Sequence, residues 1–296
     1  MINDMKKLLF LFSVIALAAC GDSDDGVNTP PDAPSPRLLT VVVGENPMQD
    51  ESANAREMTR TAAATTTASL SNFTMNYTDA WDNDFTKTGD TWSTATWPTG
   101  DEKDKKINFY AHDGGTFQWN EGTPYVTFTM DENAFVQKDF LVAKHENISY
   151  NDNGGKVSLT FDHACAAVQF YVYQEEDASY TVNSIILRGM YNRAEYSYST
   201  GWGEYGYSPE WKKDESKRIY TLTNGDITVT KAKQLLPCGW LFFIPQSKSG
   251  IKIDVTYSKA GGTTSNTKTL SLPAGTWEAG MQYTVDIRIG KAKTAS

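Results

Sequence analysis

VSLTFDHACAAVQFYVY, residues 157–173, is the stretch that most directly indicates the fold. Alternate residues in its first half share one face: Val157, Leu159, Phe161, His163 and Cys165. In its second half the alternation shifts by one position: Val168, Phe170 and Val172. Alternation with period two predicts a half-buried strand, and the shift predicts a bulge or bend around Ala166. His163 lies on the apolar face, which predicts a hydrogen-bonded core histidine rather than a ligand or base.

Short segments of the same kind occur on both sides of this stretch and are separated by Gly, Asn and Pro turns. Before it lie LLTVVV (38–43), LSNFTMNYT (70–78), KINFYAH (106–112), YVTFTM (125–130) and FLVA (140–143). After it lie YTVNSIILRGMY (180–191), AEYSYS (194–199), RIYTLT (218–223), DITVT (226–230), LFFIPQ (241–246), IKIDVTY (251–257), TKTLSLP (267–273) and QYTVDIRI (282–289). Many short strands at near-regular spacing predict antiparallel β-sandwiches.

The length of the chain favours two such domains in series. After removal of a leader, roughly 275 residues remain, and a domain typically has about 100–200. A turn-rich cluster, NDNGG at 151–155, marks the predicted boundary. The sequence therefore predicts an all-β protein with an N-terminal sandwich over residues 37–152 and a C-terminal sandwich over residues 153–296. Residues 79–106 show no clear alternation and are predicted to form a loop.

The N-terminus has the features of a secretory leader. Its apolar run is about a dozen residues, too short for the roughly 20 that a membrane-spanning helix needs, and Lys6 and Lys7 precede it. The run ends in Leu17-Ala18-Ala19-Cys20, which resembles the lipobox of bacterial lipoproteins. This resemblance implies a signal peptide over residues 1–19 and acylation of Cys20; an ordinary secretory signal with a chance cysteine is the alternative. Residues 20–36 are polar and are predicted to form a disordered tether.

Composition limits the partners and the redox chemistry. The net charge of −9 argues against a nucleic-acid partner, because phosphates would be repelled. Besides Cys20, only Cys165 and Cys238 are present. Outside the cytoplasm these two could form a disulfide, or each could pack as a small hydrophobic residue, since both have apolar neighbours.

No motif indicates catalysis, a cofactor or a metal. HExxH, GxSxG and GxxxxGK[ST] do not occur, and no histidine spacing suits zinc. Asp79, Asp82 and Asp84 could supply oxygen ligands to calcium, but the EF-hand glycine and glutamate are missing, and a solvated loop is favoured. We therefore predict no enzyme, no catalytic residue and no cofactor.

The ordered set of segments resembles the fimbrillin family, the pilus subunits made from exported lipoproteins. The blocks that carry the resemblance span nearly the whole chain: the lipobox at Cys20, the strand–arginine loop–strand order over residues 38–77, TWPTG, KINFYAHDGG, DFLVAKHENISY, VSLTFDHACAAV, IILRGMYNRAEYS, LFFIPQ and WEAGMQYTVDIRI. The resemblance implies two transthyretin-like sandwiches and a structural role at the cell surface. It also implies an outer-membrane lipoprotein precursor that is later incorporated into a fimbrium.

The resemblance further implies assembly by strand exchange. A trypsin-like, arginine-specific protease would cut after Arg60, with Arg56 as the alternative. The first strand would then leave with the lipid anchor: Leu38, Leu39, Thr40, Val41, Val42 and Val43. A strand from another fimbrial subunit would occupy the groove. Cutting at Arg37 would leave the strand in place.

Two features bear on the role within this class. The chain shown ends in a short polar tail, GKAKTAS, which predicts a tip or accessory subunit that accepts a strand but donates none, with a role in adhesion to a host or bacterial surface ligand. The alternative is a non-polymerising surface lipoprotein that binds glycans through exposed tryptophans. The candidate tryptophans are Trp92, Trp97, Trp119, Trp202, Trp211 and Trp277, although core or rim packing is favoured for them as a group.

Overall fold

The computed structural model describes residues 37–50, 70–77, 81–120, 122–198, 211–214 and 216–290. Strands dominate these residues. The first half contains β1 (Leu38–Glu45), β2 (Gln49–Asp50), β3 (Asn72–Tyr77), β4 (Trp81–Thr88), β5 (Thr91–Trp92), β6 (Ala95–Thr96), β7 (Ile107–His112), β8 (Thr116–Asn120), β9 (Thr123–Thr129), β10 (Leu141–Ile148), a one-turn helix α1 (Tyr150–Asn153) and β11 (Lys156–His163). The second half contains β12 (Ala166–Gln174), β13 (Tyr180–Tyr191), β14 (Arg193–Ser197), β15 (Trp211–Lys213), β16 (Lys217–Thr221), β17 (Ile227–Val229), β18 (Gln234–Phe243), β19 (Gln246–Ser247), β20 (Lys252–Lys259), β21 (Ser265–Ser271), β22 (Thr276–Trp277) and β23 (Met281–Ile289).

The predicted all-β class is confirmed, and most strand pairs are antiparallel. The largest sheet has the order β5-β4-β3-β7-β10-β11-β1-β6. Its two end strands, β5 and β6, are separated in sequence by only residues 93 and 94, so the sheet curves until its ends come together. Among the described strands, three pairs are parallel: β1 with β11, β12 with β23, and β2 with β23.

The first core lies inside this curved sheet. It is formed by apolar side chains from strands β1 to β11 and the segments between them: Leu39, Leu70, Phe73, Met75, Phe85, Trp97, Ile107, Phe109, Ala111, Leu141, Ala143, Ile148, Val157, Leu159 and Phe161. Its aromatic residues contact one another directly. Phe73 stacks on Phe85 with ring centroids 5.2 Å apart and meets Phe161 edge-on at the same distance. Such pairs stabilise beyond their buried area.

Two further cores follow along the chain. The second core lies between the sheets β18-β12-β23-β2 and β16-β13-β20-β21, and includes Val168, Phe170, Val172 and Trp277. The third core lies under the sheet β15-β14-β9-β8 and includes Val126, Phe140 and Cys165.

Residues 157–173 link all three cores. Val157, Leu159 and Phe161 of β11 pack in the first core, whereas Val168 and its alternate neighbours on β12 pack in the second. The predicted bend is confirmed as a break between these strands at residues 164–165, where both side chains enter the third core. The change of core therefore lies C-terminal to residue 152, the end of the predicted first sandwich, and the two-domain boundary stays a prediction.

One predicted loop is wrong. Residues 81–88 form β4, which pairs with β3 in register from Tyr77–Trp81 to Asn72–Thr86. The segment WDNDFTKT is mostly polar, and among its described side chains Phe85 is the one that is fully buried. The alternation that predicts a strand is therefore too weak to detect. Within the described residues, no helix is long and apolar enough to span a membrane.

Candidate functional site

The first strand packs one face into the first core and exposes the other. Leu39 is fully buried, and Val41 and Val43 pack against the same core. Leu38 and Val42 face outward, with 53% and 48% of their surface exposed. The alternation is the one expected of a strand on a core, because successive side chains point to opposite faces. The strand is longer than predicted and continues through Gly44 to Glu45.

The strand β11 depends on β1 for its pairing. The parallel ladder joins Thr40–Glu45 to Lys156–Phe161, residue by residue. On the opposite side, among the described residues, β10 pairs with β11 only at Asp162 and His163. The N–H of Ser158 on that side donates instead to the ring of His145, at 3.2 Å. Over residues 156–161, β1 is therefore the one described strand that pairs with the backbone of β11.

The β1 strand is itself held mainly from one side. Beyond its contacts with β11, it pairs with β6 only at Leu38 and Leu39. From Thr40 onward, no described strand pairs with its other edge. A strand that is paired along one side leaves a sheet more readily than a strand that is paired along both sides.

The start of β1 is fixed by close contacts. Arg37 donates to the carbonyl of Gly100 and to Asp101 (2.9 Å), and its guanidinium lies 5.7 Å from the ring centroid of Tyr150. Gly155 has a φ of +80°, and a Cβ placed there would lie 2.2 Å from the carbonyl oxygen of Leu38. Only glycine tolerates both the left-handed backbone and this approach.

The end of β1 is fixed by a buried acid–histidine bridge. Glu45 continues the inward-facing set, and its Oε1 lies 2.9 Å from Nε2 of His163. The other ring nitrogen of His163 hydrogen-bonds to Oδ2 of Asp139. The side chains of His163 and Asp139 are each 1% exposed, and that of Glu45 is 13% exposed. The prediction that His163 is a hydrogen-bonded core histidine is confirmed.

The environment of this bridge shifts several pKa values. Burial lowers the pKa of His163, but the hydrogen bonds and charges of Asp139 and Glu45 outweigh it and raise the pKa above the usual value. Burial raises the pKa of Asp139, and it raises the pKa of nearby Asp113 to about 7. Burial also raises the pKa of Cys165, so that this thiol stays protonated and unreactive. The arrangement places the imidazole ring of His163 between two carboxyl groups.

After β1 the chain passes from the first core to the sheet of the second. Asn46 donates its backbone N–H to Phe161 and its side chain to Asp162. Gln49 and Asp50 then pair with Met281 and Gln282 of β23 as β2. The segment 37–50 therefore contacts both halves of the described structure.

Several predicted site residues lie elsewhere. Cys20, Arg56 and Arg60 fall outside the described residues. Cys165 and Cys238 are both free: the first is buried in the third core, and the second packs against the second core. The structure thus has the arrangement expected if each packs as a small hydrophobic residue, and no bridge joins them.

The predicted tryptophan platform is not assembled by the described residues. Trp97 and Trp277 are fully buried in the first and second cores. Trp92 packs on Phe73, and Trp119 and Trp211 pack against the third core. Trp202 lies outside the described residues, as does Asp79 of the calcium hypothesis. Asp84 accepts a hydrogen bond from Thr74 (2.7 Å), and no described cluster of three or more His, Cys, Asp or Glu residues could hold a metal ion.

Sequence reasoning missed Glu45, Asp139 and Gly155. The alternation Leu39–Val41–Val43 extends to Glu45, so an inward-facing carboxylate was detectable there. Its partners were not, because Asp139 and His163 lie far away in sequence.

Solved structures from Bacteroides share this fold. A candidate cell adhesion protein from Bacteroides uniformis matches with a TM-score of 0.53 at 14% identity, covering 89% of this chain and 95% of that one. Another from Bacteroides ovatus matches with a TM-score of 0.51 at 14% identity, covering 86% and 92%. A fimbrial protein from Bacteroides vulgatus gives a TM-score of 0.49 at 16% identity over 86% and 95%. No curated protein matches the sequence.

The fold places the chain among all-β proteins built from several packed sheets. The fimbrillin-like family model matches residues 53–296, and the chain belongs to that family. Membership implies a location at the cell surface and association with other fimbrial subunits. It also fits a structural rather than an enzymatic role.

Proposed function

We propose that the protein is a fimbrial subunit that exchanges its first strand for a strand of another subunit. One observation carries the proposal: β11 is paired over Lys156–Phe161 by β1 alone among the described strands. When β1 leaves, six consecutive residues of β11 lose this partner. Unpaired backbone groups at an apolar edge are costly, and a strand from another chain removes that cost.

The groove that β1 occupies is also apolar. Removing the strand uncovers the first-core surface beneath Leu39, Val41 and Val43. Burying a side chain of this size contributes about 1.5–3 kcal/mol. An incoming strand with apolar residues at alternating positions would recover both this contribution and the backbone ladder, which favours a persistent assembly.

The release step would be proteolysis after Arg60, or after Arg56, by a trypsin-like protease. A cut there separates residues 37–50 from the rest of the chain, so β2 leaves together with β1. The lipid anchor proposed at Cys20 would leave with them, converting an outer-membrane lipoprotein precursor into a fimbrial subunit. Arg37 is a poor site by comparison, because its side chain is engaged with Gly100, Asp101 and Tyr150.

The proposed role includes adhesion, as a tip or accessory subunit. The strand β23 favours the acceptor role, because it pairs with β12 along eight residues and buries Ile287 and Ile289 in the second core. It is not a spare strand that could be given to a neighbour. Because the described tryptophans pack into three different cores, the glycan-binding alternative has no structural support of its own.

Limited trypsin digestion of the purified precursor tests the proposal. We expect one early cut, with a new N-terminus at Thr61, followed by loss of the fragment carrying residues 37–50 when an excess of a competing strand is added. Arg60→Gln should block or redirect the cut, and Arg56→Gln is the matched control that leaves it in place. A fragment that stays bound in the presence of any competing strand would contradict strand exchange. Self-polymerisation after cleavage would contradict the tip role only.

A further inference from the structure

The inward face of β1 ends in a charge instead of an apolar residue. Leu39, Val41 and Val43 enter the first core, and Glu45 is the next residue on that face. It lies opposite Phe161 in the ladder, which brings its carboxylate to the ring of His163. The carboxylate therefore occupies the last inward position of the groove.

His163 keeps only one of its two partners when β1 leaves. Asp139 belongs to the segment before β10 and is held by the backbone N–H of Phe140 at 2.8 Å, so it stays with the body of the protein. Glu45 belongs to the departing strand. The Nε2–H of His163 would then point into the emptied groove without an acceptor from this chain's β1. A protonated imidazole is a donor at both nitrogens, and a buried donor without an acceptor is costly.

The charges around the ring define what can replace Glu45. The ring is flanked by Glu45 from β1 and Asp139 from the segment before β10. Asp113, which follows β7, and the protonated thiol of Cys165 lie beyond Asp139. A carboxylate at the end of an incoming strand can accept the hydrogen bond of the ring as Glu45 does, whereas an ammonium is a donor only and offers the ring no acceptor.

We propose that the groove selects a donor strand with a carboxylate at the position of Glu45, at the end of three alternating apolar residues. The partner is thus a segment of another subunit with the pattern apolar-x-apolar-x-apolar-x-acidic, bound parallel to β11. The apolar positions supply binding, and the acidic position fixes the register, since a shift by two residues would place an apolar side chain against His163. This inference rests on the proposed strand exchange.

Synthetic strands added to the trypsin-cleaved protein test the selection. The reference peptide is residues 37–50 with a fluorescent label, and its entry is followed by anisotropy and native mass spectrometry. The test peptides carry E45Q or E45K. The control peptide carries V42K, which makes a comparable change at an outward-facing, 48% exposed position. The protein itself is unaltered, so no variant has to fold.

We expect E45Q to bind about tenfold more weakly than the reference, because it keeps an acceptor but loses the charge. E45K should bind about a hundredfold more weakly or not at all, and V42K within about threefold of the reference. Equal binding of the reference and E45K, or equal losses for E45K and V42K, would overturn the selection while leaving strand exchange intact. Failure of the reference peptide to enter at all would instead overturn the proposed function.

Discussion

Two strands of this molecule, β1 and β23, have similar pairing and burial but differ in what they contribute to their sheets. Each runs parallel to its main partner, β11 or β12, and each buries apolar side chains in a core. They differ in what the partner has on its other side. Strand β12 pairs with β18 from Ala166 to Val172, so it stays within a sheet whether or not β23 is present. Strand β11 has no comparable second partner among the described strands over Lys156–Phe161.

Strand β23 therefore adds to a sheet in which its neighbour is already paired, whereas β1 provides most of the pairing of its neighbour. Loss of β23 would expose a core but leave β12 paired. Loss of β1 would leave β11 without a ladder and would uncover the first core at the same place. The emptied groove would bind a new strand favourably, because the strand would restore the backbone hydrogen bonds of β11 and cover the apolar surface of the first core.

The largest expected effect comes from the inward face of β1. Leu39→Ala should lower the free energy of unfolding by about 3 kcal/mol, because Leu39 is fully buried and its loss leaves a cavity. Leu38→Ala is the matched control: the same substitution one residue earlier, at a side chain 53% exposed, should cost less than about 0.5 kcal/mol. Urea unfolding followed by tryptophan fluorescence measures both.

The same variants sharpen the contrast with β23. Ile287→Ala, at a fully buried position of β23, should destabilise the protein by an amount similar to Leu39→Ala. After cleavage, however, only Leu39→Ala should speed the departure of the fragment that carries β1. If Ile287→Ala released that fragment equally fast, retention of β1 would depend on overall stability and not on its own groove.

A smaller effect is expected where the chain approaches the start of β1. Gly155→Ala should cost about 2 kcal/mol, because the new Cβ would meet the carbonyl of Leu38 in addition to the strain at positive φ. Gly154→Ala also has a positive φ but has open space around the added Cβ, so it should cost about 1 kcal/mol. Thermal unfolding of the two variants gives the difference, and equal costs would show that the approach to β1 carries no constraint.

A separate effect depends on pH. Burial raises the pKa of Asp113 from 3.8 to about 7, so the folded state binds this proton more tightly than the unfolded state does. The ionised carboxylate therefore destabilises the fold progressively as pH rises from about 4 to about 7, and the cost is constant above that range. Asp113→Asn, whose amide oxygen can still accept the N–H of Leu141, should stabilise the protein by up to about 4 kcal/mol at pH 8 and have little effect at pH 4. An unfolding series across pH measures the difference, which should vanish on the acid side.

The sequence predicts features of this structure that depend on neighbouring residues, and it does not predict those that depend on residues far apart in the chain. The alternation at Val157–Phe161 and the shift before Val168 locate two strands and the change of core between them, because strand periodicity is local. The strand β4 could not be predicted, because its residues are mostly polar and, of its described side chains, Phe85 alone is fully buried, so no hydrophobic alternation is visible. The parallel pairing of β1 with β11 escapes as well, because nothing local to either strand encodes a partner more than one hundred residues away.

The candidate site divides in the same way. The inward set Leu39, Val41 and Val43 is visible in the sequence, and the apolar setting of His163 predicts a hydrogen-bonded core residue. The bridge from His163 to Glu45 and Asp139 is a product of tertiary structure, which brings three separate segments together at the end of β1. Gly155 is similar: it lies in a turn by sequence, but its need for glycine comes from the carbonyl of Leu38.

Hydrogen–deuterium exchange on the cleaved protein tests the central claim most directly. After cleavage and removal of the released fragment, the amides of Lys156–Phe161 that donate to β1 should lose protection. The N–H of Ser158, which donates to His145, and the amides of Ala166–Gln174 in β12 should stay protected. Adding the peptide of residues 37–50 should restore protection to β11. If β11 stayed protected with the groove empty, or if β11 and β12 lost protection together, β1 would not be the strand on which β11 depends.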